Sequence, residues 1–311
     1  MERVKVVSPC STANLGSGFD VFGLALEAFH DTLTAELAEG GVAIEVAGLE
    51  AENIPSDAQK NTAGVVASEL LKNRNLGVRI RVEKGVPMRM GLGSSGASAA
   101  ASAVALNHLL GLQLSQTELV QVAAKGEIAS SGAAHADNVA ACILGGFVIV
   151  QAYGEQFSVA RLDPPLNLEV ALAMPLIETP KNKTAAARAI LPKSVALHDA
   201  VYNVGNAASV VAGFHLGDVE MIGRGMHDRL VEPARCKLIP NYGAVRKNAL
   251  EAGASGVAIS GAGPSMVAVV DKAKASAQDV ADSMRDAFLA VGVECRTCCS
   301  KPSTKGTVRV S

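Results

Sequence analysis

The sequence has no uninterrupted apolar stretch long enough to span a bilayer, so a membrane partner is not expected. It also lacks a surplus of positive charge. Lys and Arg number 28 against 30 Asp and Glu, a net charge of -2, and basic stretches such as Lys181 to Lys183 are short. Phosphate-backbone binding draws on clustered Lys and Arg, so no nucleic-acid partner is expected either. Met1 to Pro9 alternates charged and β-branched residues in place of a basic region followed by an apolar run. No signal peptide is expected there, and a cytoplasmic location follows as the default. Cysteine is sparse: six in 311 residues, which in this context read as reduced thiols. Cys295, Cys298 and Cys299 include a C-x-x-C pair, a pattern that can hold zinc or do redox work. Cys10, Cys142 and Cys236 are scattered singly and supply no second pair, so buried or edge-strand thiols are the favoured reading.

What is present is a chain of two-domain length with 49% hydrophobic and 19% charged residues, which disfavours disorder. Thirty glycines imply many places where backbone turns sharply or approaches a ligand. Arg3 to Ser8, Asp31 to Leu37, Val42 to Ala47 and Gly77 to Glu83 read as strands from β-branched content or period-two alternation. Thr62 to Asn73, Gly96 to Leu110 and Gln116 to Ser130 read as helices. Gly145 to Gln151 returns to strand character, and the polar, turn-rich Gln151 to Gln156 marks a border, giving domains 1–155 and 156–311. The second half reads as a strand (Leu168 to Met174), helices (Thr184 to Ile190, Val195 to Phe214, Tyr242 to Glu251), two strands (Gly256 to Ser260, Met266 to Val270), a helix (Ala275 to Val291) and a strand (Val293 to Cys298). Strands and helices alternate without the regular repeat of a parallel barrel, so the fold class is α+β with two domains.

The most informative stretch is Pro87-Met88-Arg89-Met90-Gly91-Leu92-Gly93-Ser94-Ser95-Gly96-Ala97-Ser98, between a strand and a helix. Gly91 and Gly93 can adopt positive φ, so consecutive N–H groups can point into one concavity, reinforced by the positive end of the following helix. That is a phosphate cradle. Ser94 and Ser95 place hydroxyls on the first turn, where they can cap the helix or reach a phosphate oxygen or a bound Mg²⁺. A tight turn with a Ser cap before an alanine-rich core helix is the structural alternative. No Gly-Lys-Ser/Thr follows, which excludes a Walker A loop, and the glycines are not spaced as a dinucleotide fingerprint.

Pro-x-x-x-Gly-Leu-Gly-Ser-Ser resembles the ATP-binding motif of the GHMP kinases. Two further segments match that family in the same order: Ser11-Thr12-Ala13-Asn14-Leu15-Gly16-Ser17-Gly18-Phe19-Asp20 and Ser260-Gly261-Ala262-Gly263-Pro264-Ser265. The first is similar specifically to the homoserine kinases of the group, which usually carry Pro where this chain has Ser17. His135-Ala136-Asp137-Asn138 resembles their His-x-Asp-Asn stretch, where the second residue is often Pro. The resemblance implies an amino-terminal domain of the ribosomal protein S5 domain 2-like fold and a ferredoxin-like carboxy-terminal domain. It implies ATP and Mg²⁺ as cofactors, L-homoserine as the small-molecule substrate, and a homodimer.

Site residues are carried over on the same terms. Residues 88 to 98 would bind ATP, with Asn61 at the adenine pocket. Ser95 and Glu127 would hold Mg²⁺, which prefers hard oxygen ligands and takes few from protein. Asn14, Asp20, His135, Asn138, Thr184, Arg188, Arg235 and Gly261 would surround the substrate. Asp20 could accept from an ammonium, and Arg188 and Arg235 offer planar donor forks for a carboxylate. An Asx turn is the ordinary alternative for Asn14 and Asp20, a structural histidine for His135, and solvated surface arginines for the pair. Some family members align an Asp base with Asn138, which cannot take a proton at neutral pH, so the catalytic set is Asn138, Glu127 and Arg188 without a side-chain base. Another small-molecule kinase of the mevalonate or shikimate type, or a non-catalytic ATP-binding homologue, are the alternatives.

Overall fold

A computed structural model describes residues 3–131, 136–154, 156–180 and 183–311. The chain runs β1 (Arg3–Ala13), β2 (Phe22–Ala38), β3 (Val42–Gly48), α1 (Thr62–Leu71), β4 (Gly77–Lys84), α2 (Ser94–Leu109), α3 (Gln116–Ser131), α4 (Ala136–Leu144), β5 (Phe147–Tyr153) and β6 (Gln156–Leu162). It continues through β7 (Leu168–Pro175), α5 (Lys183–Ala189), α6 (Leu197–Leu216), α7 (Val219–Gly225), α8 (Glu232–Arg235), α9 (Tyr242–Glu251), β8 (Gly256–Ile259), β9 (Met266–Asp271), α10 (Ala277–Leu289), β10 (Cys295–Ser300) and β11 (Val308–Arg309).

Among the described residues the first sheet follows the order β11-β1-β2-β4-β3, with β5 added on β2 and β6 on β5. The long β2 serves two neighbours: Phe22 to Leu24 pair with β5, and Thr32 to Ala38 pair with β4. An irregularity in β1 at Pro9/Cys10 bends the ribbon between those two parts, as a proline without an N–H would. The alternation read in Gly77 to Glu83 is seen directly, with buried and exposed residues taking turns along β4. β3 and β4 pair parallel across α1. The alanine-rich α2 lies behind this sheet, buried along most of its length, and contacts β1, β2, α1, α3 and α4. Small side chains let it approach all five.

The second sheet has the order β10-β7-β9-β8, antiparallel throughout, the 4-1-3-2 arrangement of a ferredoxin-like sandwich. Its helical layer is enlarged between β7 and β8 by α5 to α9. β10 is an edge strand and carries Cys295, Cys298 and Cys299, while Cys10 and Cys142 are buried. Sheet membership changes after Leu162, so the border expected at residues 155 and 156 falls between β5 and β6, which pair with each other. The polar turn residues that read as a linker connect two strands of one sheet. α4, α7, α8, β6 and β11 are additional to the elements read from the sequence. No helix among the described residues is long and apolar enough to cross a membrane.

The halves are joined through apolar contact and through the chain end. One core cluster contains Leu24, Leu106 and Phe147 from the first half and Leu172, Phe214 and Ile222 from the second. Phe147 stacks on Phe214 with ring centroids 3.9 Å apart. After β10 the chain returns to the first sheet, where Thr307 bonds to Cys142 and Ser8 and β11 pairs with β1.

Candidate active site

The segment between β4 and α2 turns on two glycines. Gly91 has φ +78° and Gly93 φ +67°, left-handed conformations that any side chain would strain. Close approach forbids a side chain as well: a Cβ on Gly91 would overlap the Ser260 carbonyl oxygen, and one on Gly93 would overlap the Ser11 hydroxyl. Gly93 occupies the cap position of α2 and no side chain among the described residues caps that end. Both serines that could have done so are engaged elsewhere. Ser94 Oγ donates to the Val86 carbonyl at 2.9 Å, and Ser95 Oγ donates to Glu127 Oε2 at 3.1 Å. The first-turn N–H groups of a buried helix therefore face an open cavity, a ready anion site.

A buried ion pair braces the loop from below. Lys84 Nζ donates to Asp31 Oδ2, to the Ser94 carbonyl at 2.8 Å and to Ser98 Oγ at 2.9 Å. Asp31 Oδ1 accepts from the Gly85 and Val86 N–H groups at 3.0 and 3.1 Å. Both side chains are almost wholly excluded from solvent. A lysine ending an alternating strand just ahead of the glycine loop is the sequence signal that could have singled it out.

The cavity in front of the loop measures about 430 Å³, within the range of small-ligand sites. Met88, Arg89, Gly91, Leu92, Gly93, Ser94, Ser95 and Ser98 line it, and Asn14, Asp20, Asn61, Glu127, Asn138, Thr184, Arg188, Arg235 and Gly261 line the same space. Met90, Gly96 and Ala97 do not: Met90 packs against the core, and the other two lie within α2. Asn61 reaches the wall while its carboxamide caps α1, accepting from Ala63 N and Gly64 N and donating to the Pro55 carbonyl. His135 lies outside the described residues.

The third motif closes the cavity from the second half. Ser260 Oγ donates to the Gly91 carbonyl at 2.7 Å, and the Gly261 N–H donates to the Ala13 carbonyl at 3.1 Å. Asn14 has φ +73° and Asp20 φ +58°, a region these residue types tolerate better than most. Asn14 Nδ2 donates to the Gly261 carbonyl at 2.8 Å while its Oδ1 accepts from the Asp20 N–H. Arg235 is buried, donating to the Gly261 and Ala187 carbonyls. Arg188 Nη2 donates to both Asp20 oxygens at 2.8 Å, and the Phe19 ring lies 5.3 and 5.0 Å from the two guanidinium carbons.

Among the described residues lining the cavity, four titratable groups depart from their ordinary values: Glu127, Asp137, Lys183 and Arg235, the last with its guanidinium pushed down chiefly by burial. Burial pushes the Glu127 carboxyl up to about 7, with the Ser95 hydrogen bond opposing. Burial, then the charge of Asp20, pushes Asp137 up to about 6. Burial and Arg235 push the Lys183 ammonium down to about 7, where it donates to the Gly263 carbonyl. Lys84, Asp137 and Lys183 all line the cavity and were not singled out from the sequence as site residues. Asn138 is fixed on both sides: Ser11 Oγ donates to its Oδ1 at 2.9 Å, and its Nδ2 donates to Asp137 Oδ1 at 3.1 Å.

Two family models match, the GHMP kinases N terminal domain over residues 60–146 and the GHMP kinases C terminal over residues 210–289. The chain belongs to the GHMP kinase family. Within that family it is 46% identical to a homoserine kinase of Haloarcula marismortui over 94% of both chains. It is 42% identical to one of Methanococcus maripaludis over 88% of this chain and 89% of that one. The crystal structure of a homoserine kinase from Cytophaga hutchinsonii matches with a TM-score of 0.91 and 37% identity, covering 100% of this chain and 98% of the other. This GHMP kinase therefore phosphorylates a hydroxyl group.

Proposed function

We propose that the chain is a homoserine kinase, which transfers the γ-phosphoryl group of ATP to the side-chain hydroxyl of L-homoserine in threonine biosynthesis. The observation that carries the reading is one cavity holding both an anion-binding helix end and a set of opposite charges suited to an amino acid. Asp20 and Asn14 would take the ammonium, Arg188 and Arg235 the carboxylate, with Thr184, Gly261 and His135 completing the substrate's surroundings.

The donor set fits Mg²⁺: a buried carboxylate bonded to a hydroxyl, both hard oxygens, beside the phosphate loop. Glu127 and Ser95 would hold it, and the ion would neutralise phosphate charge. The protein's own work is positioning and electrostatic stabilisation, which phosphoryl transfer chiefly needs. The homoserine oxygen attacks the γ-phosphorus, the bond to the β,γ-bridging oxygen breaks, and ADP leaves with that electron pair. Asn138 orients the hydroxyl, and its amide is held in one orientation by Ser11 and Asp137. The proton departs late, to phosphate or solvent. A homodimer and a cytoplasmic location belong to the same proposal. The exposed apolar run of Leu197, Val201 and Val204 along α6 is consistent with association, which sedimentation would read.

ADP release assayed over L-homoserine, mevalonate, shikimate and galactose tests the reading. Turnover with homoserine at least ~100-fold above the other acceptors in kcat/KM is expected, since unmatched charges in the site would reject them. Preference for any other acceptor would refute it.

A further inference from the structure

Lys183, the first residue of α5, brings a further cation to the cavity wall. Its Nζ donates to the Gly263 carbonyl. That carbonyl oxygen packs on the Gly91–Gly93 turn, since a Cβ placed on Gly91 would meet it at 2.9 Å. The ammonium is thereby tethered on the second-half side of the turn, within reach of the Arg235 charge and one residue before Thr184. Lys183 as a residue is half-buried, yet protein surrounds its ammonium closely enough that burial, followed by the charge of Arg235, lowers it to about 7. The other charges sharing the cavity have partners of their own: Asp20 pairs with Arg188, Lys84 with Asp31, Glu127 is bonded to Ser95 and Asp137 to Asn138. Among the described residues, no carboxylate lies at ion-pair distance from Lys183, and the Gly263 carbonyl is its one acceptor.

We propose that Lys183 contacts the γ-phosphoryl group of bound nucleotide and holds the transferred group between the Gly91–Gly93 turn and the amino acid. The inference rests on the reading of that turn as the ATP loop. An ammonium has three donors, so the Gly263 carbonyl leaves two for phosphate oxygens. A buried cation without a counter-ion is costly, and a terminal phosphate supplies one. Its place beside Thr184 and Arg235, at the amino-acid end of the cavity, points to the last phosphate of the three. Charge is spread over the oxygens of that group during transfer, so a fixed cation there favours the transition state. In the free protein the ammonium gives up its proton near pH 7, whereas a neighbouring phosphate favours the charged form. Binding of a triphosphate then draws a proton onto Lys183. A lysine that only ties α5 to the third motif would gain no proton from nucleotide.

Proton uptake is read at about pH 8 by calorimetry in buffers of different ionisation heat, with saturating Mg²⁺ and either ADP or the non-hydrolysable analogue AMP-PNP. The two ligands differ in the γ-phosphate, so Mg²⁺-linked changes common to both, at Glu127 above all, cancel in the comparison. AMP-PNP is expected to take up at least ~0.5 proton more than ADP. Lys183→Met should abolish that excess and weaken AMP-PNP by ~10-fold or more, with ADP changed by less than about threefold. Lys183→Arg, which stays charged, should also abolish the excess while binding AMP-PNP at least ~threefold better than Lys183→Met does. No excess in the unaltered protein, an excess that survives in Lys183→Met, or equal weakening of both nucleotides would overturn the inference. Proton uptake that depends on Lys183 but accompanies homoserine instead of AMP-PNP would overturn it too. Should Lys183→Met fail to fold, the loss of the excess in Lys183→Arg decides. Homoserine turnover without the excess removes this inference alone, whereas failure to bind either nucleotide removes the ATP-loop reading beneath it.

Discussion

Asp137 precedes Asn138 and is buried in the cavity wall, with its carboxyl raised to about 6 from an ordinary 3.8. Below about pH 6 the free protein carries it neutral, which weakens any ammonium ligand nearby. The KM for homoserine should therefore climb on acidification through that range, and Asp137→Asn should flatten the climb. Stability runs the other way. A folded-state value above the unfolded one means stability is fully present below about 4 and is lost as pH rises through about 6. Asp137→Asn should thus be more stable than the parent at pH 7, on the order of 1–3 kcal/mol, and show no such advantage at pH 4. Urea melts at the two pH values check both signs. At Asn138 the expectation concerns the proton. Asn138→Ala should lower kcat by a modest ~10-fold as orientation is lost, and Asn138→Asp should gain nothing. A strong rise with Asp would mean that a side-chain base is wanted there. The residue types of the site were legible because Asn14, Asp20, Glu127, Arg188 and Arg235 sit in spaced motifs. Asp137 was passed over because its neighbours in the His135–Asn138 stretch claimed the motif, and burial, which shifts it, is a tertiary property.

At the scale of elements, the glycine turn and the start of α2 depend on the Lys84–Asp31 pair beneath them. Lys84→Met would leave a buried carboxylate without its cation, though Asp31 keeps the Gly85 and Val86 N–H donors. A loss near the lower end of ~3–5 kcal/mol is expected, read as a fall in urea midpoint at constant m. The KM for ATP should rise together with it, because the ammonium ties down the Ser94 carbonyl. An unchanged midpoint would show the pair to be idle. This layer was half visible in sequence. Period-two alternation placed β4 within a residue of its observed end, and the α9 helix fell on Tyr242 to Glu251 as read. α2 begins at Ser94 instead of Gly96 because Gly93 itself serves as the cap, leaving the serines inside the helix. β6 was missed because its alternating exposed residues carry little apolar signal and its connection to β5 uses linker-like residues.

At the scale of the whole molecule, two sheets share one core across the Phe147–Phe214 stack, and the chain's last residues return to pair with β1. Sequence motifs divided the chain into halves; only the packing shows how far the halves depend on each other, since side chains from distant positions meet there. Calorimetric unfolding should accordingly give a single cooperative transition with equal calorimetric and van't Hoff enthalpies, and two resolved peaks would contradict a shared core. The same union brings Arg188 and Arg235 from the second half into one cavity with the Gly91–Gly93 turn of the first, and the proposal that this turn holds the phosphates there is the central claim. Its most direct test is ³¹P NMR of the protein incubated with Mg-ATP and L-homoserine. The account predicts that the γ-phosphate signal is replaced by one phosphomonoester coupled to the homoserine γ-methylene protons, with ADP formed in equal amount. Release of inorganic phosphate alone, or an unchanged ATP spectrum, would contradict it.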